Sequence, residues 1–151
     1  MDAIDRKIIR ALQQNGRLTN QELADNVGLS PSPCLRRVRN LEKQGVLTGY
    51  TALVDQEQYG LPLTVFVHIR LERHSDECIR TFEEGIGRLD QVMECYLMTG
   101  RSDYLLHVVA RDLKDYEGFV RDKISTIPGI AGIDSSFVFG RVKRKTDFPL
   151  V

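Results

Sequence analysis

The stretch "TNQELADNVGLSPSPCLRRVRNLEKQG", Thr19 to Gly45, decides the fold of the first part of the chain. Thr19 is followed three residues later by Glu22, the spacing of a capping box. In that box the threonine hydroxyl accepts from a backbone N–H of the first turn while the carboxylate reaches back to the cap. Leu23, Ala24 and Val27 supply a short apolar stripe, and Gly28 stands where a helix ends. Only Leu29 then separates Gly28 from Ser30, which predicts an N-cap, and from Pro31, whose missing N–H costs nothing at the first helical position. Two helices across so short a turn predict a helix-turn-helix, whose second helix lies in the major groove of DNA.

Working outward, "AIDRKIIRALQQNG" sets Ile4, Ile8, Ile9 and Leu12 on one helical face ahead of Gly16, which predicts a preceding helix. On the Pro31 helix, the 3.6-residue period groups Cys34, Leu35, Val38 and Leu41 on the core side. Ser32, Pro33, Arg36, Asn40 and Lys43 fall on the other, flanked by Arg37 and Arg39. An arginine fork takes guanine O6 and N7, asparagine pairs with adenine, and Lys43 or Arg39 neutralises phosphate. Arg36 and Asn40 are therefore the candidates for base edges. A solvated basic helix would show the same pattern, so this face alone leaves both readings open. "GVLTGYTALVD" reads as a short wing or linking strand.

Charge separates the chain in the same way. Over 151 residues, 21 basic and 21 acidic side chains cancel. Residues 1–50 nevertheless hold eight basic against five acidic, a net of +3, and the remainder is −3. A basic reader fused to an acidic module fits that split. Cys34, Cys78 and Cys95 form no CxxC pair and read as reduced, half-buried core residues. No apolar run approaches the roughly 18 residues of a membrane span, and no leader pattern opens the chain, so a cytoplasmic protein without membrane partners is expected.

Beyond residue 60 the periodicity changes. "LPLTVFVHIRL" alternates as a strand, and "DECIRTFEEGIGRL" places Ile79, Phe82, Ile86 and Leu89 on one helical stripe. "QVMECYLMT" and "DYLLHVVAR" are two further strands joined by a glycine-bearing turn. "LKDYEGFVRDKIST" carries Leu113, Tyr116, Val120 and Ile124 on a second helix with Phe119 beside them, and "IAGIDSSFVFGRV" is the last strand. The order βαββαβ is the ferredoxin-like pattern. The expected class is α+β: residues 1–50 a winged helix-turn-helix, 51–60 a hinge, 61–151 the ferredoxin-like domain. Phe66 with His68, and Phe137 with Val138 or Phe139, put bulky groups on both sheet sides, so a dimer packed through its sheet is expected.

This succession resembles the Lrp/AsnC family of regulators over essentially the entire chain. It is carried by the reader stretch from Ile4 to Asp55, by "MECYLMTGRSDYLLHVVARDLKDYEGF" and by "STIPGI". The resemblance implies a transcription factor that binds double-stranded DNA, takes an amino acid as effector and assembles as dimers and octamers. It further implies an effector pocket between C-terminal domains, lined by the loop Thr99, Gly100, Arg101, Ser102, Asp103 and Tyr104. Asp134, Ser135, Ser136 and Phe137 of a neighbouring subunit complete it. Gly100 supplies a positive φ for the turn in any case. Asp103 either caps turn amides or accepts from an α-ammonium while loop amides take the α-carboxylate. Ser135 and Ser136 either bind ligand or sit on a solvated edge.

His68 and His107 read as packed histidines, and with His74 they form no metal spacing. Neither a cofactor nor a metal is expected. An architectural DNA-bending role and the sirohaem decarboxylase activity of some Lrp-like chains remain the competitors; the residues show no catalytic constellation for the second.

Overall fold

The computed structural model describes residues 1–149. They divide into two compact units: Met1–Leu53 together with the chain from Val142 on, and Val54–Arg141.

In the first unit, α1 spans Ala3–Gln14, α2 Asn20–Val27 and α3 Pro31–Lys43. Their apolar stripes converge on Ile8, Leu12, Leu23, Ala24, Val27, Cys34 and Leu41, all buried. Each fully buried aliphatic side chain of this kind contributes about 1.5–3 kcal/mol relative to exposure. The Thr19 box forms as read: the Thr19 hydroxyl accepts from Glu22 N–H at 3.3 Å, and the Glu22 carboxylate accepts from Thr19 N–H at 2.7 Å. A second box, Asp2 with Asp5, opens α1. Gly28 closes α2 at φ 72°, a left-handed backbone that a Cβ would strain. Three expectations shift. Ser30 caps α3 by backbone conformation only, with no side-chain bond. Leu35 turns outward, 37% exposed. Residues 45–54 form no strand, having no ladder partner among the described residues.

The second unit is β1 Leu63–Leu71, α4 Asp76–Ile86, β2 Val92–Leu97, β3 Tyr104–Ala110, α5 Leu113–Asp122 with a 3₁₀ turn Ile124–Thr126, and β4 Ile130–Phe137. The sheet order is β2-β3-β1-β4, and every neighbouring pair is antiparallel. One face buries Val65, Val67, Ile69, Leu106 and Val108 with Phe82, Ile86, Phe119 and Ile124 of the helical layer. Cross-strand register puts Thr64, Phe66, His68 and Arg70 on the other face with Leu105, His107, Glu94, Tyr96, Asp134 and Ser136. That open face is mixed rather than purely apolar. Phe137 pairs with Val65 and so lies on the helix-covered side, edge-on to Tyr116 with ring centroids 5.4 Å apart. Val138 and Phe139 follow the end of β4. Leu113, expected in the helical stripe, is 63% exposed because it stands at the first residue of α5.

Cys34 is buried, which pushes its thiol pKa up, Cys78 is half-buried, and Cys95 on the edge strand is exposed. Among the described residues no helix is long and apolar enough to cross a membrane.

Candidate functional site

The first candidate surface is the outer face of α3. The left-handed Gly28 lets Leu29 N–H reach back to the Ala24 carbonyl at 2.9 Å, so α2 stops and α3 starts at Pro31 with no slack. Asn20 Nδ2 donates to the Pro31 carbonyl at 2.9 Å and ties the start of α2 to the start of α3. The second helix of the motif is thereby held at a fixed angle, as reading a groove requires. Ser32, Arg36, Arg39, Asn40 and Lys43 are exposed and Pro33 is half-buried. Among the described residues Arg36, Arg39 and Lys43 have no ion-pair partner, which leaves three cations for an outside anion.

Arg37 is different. Its Nη1 donates to Asp2 Oδ2 and to Asp5 Oδ1, both at 2.8 Å. The α1 capping box thus doubles as the clamp for an arginine of α3, and its hydrogen bonds to Asp5 and Asp2 raise the Arg37 pKa. A flanking DNA contact was expected there; the structure gives the guanidinium to α1. Sequence periodicity placed Arg37 beside the basic face, but the carboxylates that claim it lie more than thirty residues away.

The second candidate surface surrounds the β2–β3 loop. Met98 N–H donates to the Asp103 carbonyl and Asp103 N–H to the Ile69 carbonyl, each at 2.8 Å, so the loop is tied both to itself and to β1. Gly100 has φ 110°, the positive value expected of it. Asp103 faces inward: Oδ2 accepts from Leu71 N–H at 2.7 Å, and Oδ1 meets His74 Nε2 at 2.7 Å. The Leu71 hydrogen bond, more than His74, holds the Asp103 carboxyl below its ordinary value. β1 changes register against β4 between Arg70 and Leu71, and Asp103 supplies the acceptor at that irregularity. The Asp103 carboxylate thus accepts from β1 and meets His74, with no bond to the amides of its own loop among the described residues.

The other expected effector residues separate into two groups. Tyr104 is buried, its ring packed at a tilt against Phe82 with centroids 4.5 Å apart, and its hydroxyl donates to Glu83 at 2.8 Å. Burial, then that carboxylate, drives its pKa far above the usual phenol value. Ser135 points to the helix side and shares a hydrogen bond with the Tyr116 hydroxyl. Thr99, Gly100 and Arg101 stay exposed on the loop, and Asp134 and Ser136 stay exposed on the open sheet face.

Ser102 links these surroundings through a residue read only as packed. Its hydroxyl meets His68 Nδ1 at 3.2 Å, and His68 lies directly across from Asp134. The loop, β1 and β4 are therefore brought to one polar corner by a histidine whose alternation in β1 signalled its face but not its partners. His107, also read as packed, stacks on Phe66 at 5.3 Å and bonds Glu94 through Nδ1 at 3.1 Å. Among the described residues no three His, Cys, Asp or Glu side chains cluster as a metal site.

Residues 1–48 match a family model described as winged helix-turn-helix DNA-binding, and residues 64–148 match the Lrp/AsnC ligand binding domain. The Bkd operon transcriptional regulator of Pseudomonas aeruginosa is 44% identical over 150 residues, covering 99% of this chain and 98% of the relative. The leucine-responsive regulatory protein of Escherichia coli is 39% identical over 144 residues, covering 95% and 88% respectively. Among solved structures, a Neisseria meningitidis transcriptional regulator in complex with L-Met superposes with a TM-score of 0.94 at 38% identity, covering 99% of this chain and 96% of that one.

Proposed function

The chain belongs to the Lrp/AsnC family of DNA-binding transcriptional regulators, and from that premise we propose a sequence-specific regulator whose DNA affinity or assembly state responds to a free amino acid. The observation that carries the reading is the outer face of α3, where Arg36, Arg39 and Lys43 stand exposed beside Asn40 with no carboxylate among the described residues holding them. Arg36 and Asn40 read base edges; Arg39 and Lys43 neutralise phosphates, with Ser32 and Pro33 entering at the helix start. Arg37 acts as a positioning residue that fixes α3 to α1.

The effector is a zwitterion, and L-Met, held by the Neisseria relative, is its first candidate. Backbone amides around Gly100 take the α-carboxylate of such a ligand. Thr99 and Arg101 border it, and Asp134 and Ser136 are contributed by another copy. Ser102, Asp103, Tyr104, Ser135 and Phe137 hold the shape of this corner from within. Dimerisation through the open sheet face would cover Phe66, Leu105 and Tyr96. The exposed Met93 and Leu97 of edge strand β2 offer a further surface for assembling dimers. The effector shifts the equilibrium only by binding one assembly better than another. The reader is used without a catalytic step and in the cytoplasm, where DNA is its partner.

Two measurements test this. In a gel shift with DNA from upstream of its own gene, the protein should discriminate that duplex from a scrambled one, and Arg36→Ala should reduce the discrimination. Equal retardation of both duplexes by the unaltered protein would overturn sequence-specific regulation in favour of an architectural role. A thermal-shift screen of the twenty amino acids should show stabilisation by at least one, because a ligand of the folded state raises its melting point.

A further inference from the structure

The chain from Val142 on returns to the DNA-binding unit, and it brings charge with it. Counting residues 1–53 with 142–149, that unit holds eleven basic and six acidic side chains, a net of +5, while Val54–Arg141 is −5. The first fifty residues alone carry +3. The difference is the run Lys143, Arg144, Lys145, offset by Asp147.

The returning segment is pinned by one glutamine of α1. Gln13 Nε2 donates to the Thr146 carbonyl at 3.2 Å, and Gln13 Oε1 accepts from Phe148 N–H at 3.3 Å. Thr146 Oγ1 also donates to the Gln13 backbone carbonyl at 3.3 Å. A side-chain amide bonded at both its ends to alternate backbone groups holds that backbone as a neighbouring strand would. Asp147, only 12% exposed, lies 3.8 Å from Arg10 and 3.3 Å from Lys145. Phe148 and Pro149 line a groove with Ile9, Gln13, Val46 and Leu47. Val46 and Leu47 belong to the stretch that leaves α3 just beyond Lys43. The anchor therefore uses Thr146, Asp147 and Phe148, while Lys143 and Arg144 remain exposed, with no ion-pair partner among the described residues.

We propose that residues 142–149 are a DNA-contacting arm, anchored beside the exit of α3 so that Lys143 and Arg144 bind phosphates flanking the base pairs read by Arg36 and Asn40. The proposal rests on the reading of α3 as the DNA-reading helix. A reading helix has a phosphate strand on either side of its groove, and unpaired cations two and three residues ahead of the pinned Thr146 lose less conformational freedom on reaching one than they would on a free tail. Such contacts position the protein and carry no sequence information.

The test is the full-length Lys143→Ala/Arg144→Ala protein, titrated against the upstream duplex and a scrambled duplex over a salt series. Each phosphate contact contributes about 0.9 to the slope of log K against log salt, so the slope should fall by roughly 2 on both duplexes. The ratio of the two affinities should persist, and melting point and sedimentation should be unchanged. An unchanged slope overturns the arm. If that result comes with altered sedimentation, these cations serve contacts between copies instead. Arg36→Ala separates the layers: if it lowers discrimination while the arm variant keeps its slope, only the arm proposal fails, whereas loss of the α3 reading shows as discrimination that Arg36→Ala leaves intact.

Discussion

On α3, Arg36, Arg39 and Lys43 stand without ion-pair partners among the described residues, whereas around the β2–β3 loop Ser102, Asp103 and Tyr104 each direct polar atoms into the fold. The contrast suits the function proposed for each surface. A polyanion is bound by replacing its counterions, so cations serve best when nothing inside the protein neutralises them. A small zwitterion is bound by groups already fixed in place, so the residues beside it are useful when their own hydrogen bonds hold a loop rigid. One surface is left open electrostatically, and the other is built geometrically.

If that contrast is right, substitutions at the loop should act on stability and those on α3 on recognition. The largest expected effect is Tyr104→Ala, which removes a buried ring packed against Phe82 and should destabilise by about 3–5 kcal/mol in urea unfolding. Stability unchanged by that substitution would break the comparison, since Tyr104 would then be a surface residue of the effector corner.

Asp103→Ala comes next. It leaves Leu71 N–H, at a buried residue, without its acceptor, for a cost of about 1–3 kcal/mol. The same group gives a pH test. The folded Asp103 carboxyl has a lowered pKa, so its contribution is present above the unfolded value, about 3.9, and is lost as pH falls through the folded one. Urea unfolding of the unaltered protein and Asp103→Ala should show the full gap at neutral pH and a smaller gap once the medium is more acidic than that value. A gap independent of pH would mean that charge plays no part.

Arg36→Ala should cost about 1–3 kcal/mol of discrimination at one base pair, with no change in melting point. Arg37→Ala is the sharpening control and the smallest effect on recognition. Its guanidinium is held by Asp2 and Asp5, so base discrimination should survive, while the melting point drops slightly through the loosened α1–α3 clamp. If Arg37→Ala abolished discrimination as Arg36→Ala does, position within the fold would not separate the two arginines.

Local signals in the sequence were reliable where the interacting atoms are three or four residues apart. The Thr19–Glu22 box, the Gly28 stop and the Pro31 start all follow from backbone geometry over one turn. Strand alternation likewise placed Val65, Val67 and Ile69 in the core. Tyr104 was readable too: it shares parity with the buried Leu106 and Val108, and that parity outweighs its place in a loop motif. The face taken by Phe137 was not readable from its own strand, because it depends on register with Val65 seventy-two residues earlier.

Partner choice divides along the same line. The amino-acid order by itself determined the five helices, the helix-turn-helix, the βαββαβ succession and which helix carries an exposed basic face, because these depend on periodicity and caps; the strand it suggested over residues 45–54 does not form. The tertiary structure alone decided that Arg37 belongs to Asp2 and Asp5, that Asp103 serves Leu71 and His74, and that Thr146 returns to Gln13 across 133 residues. A hydrogen bond or ion pair is formed by whichever complementary group folding brings within about 3 Å, and the chain's periodicities say which face a side chain occupies without saying what will stand opposite it.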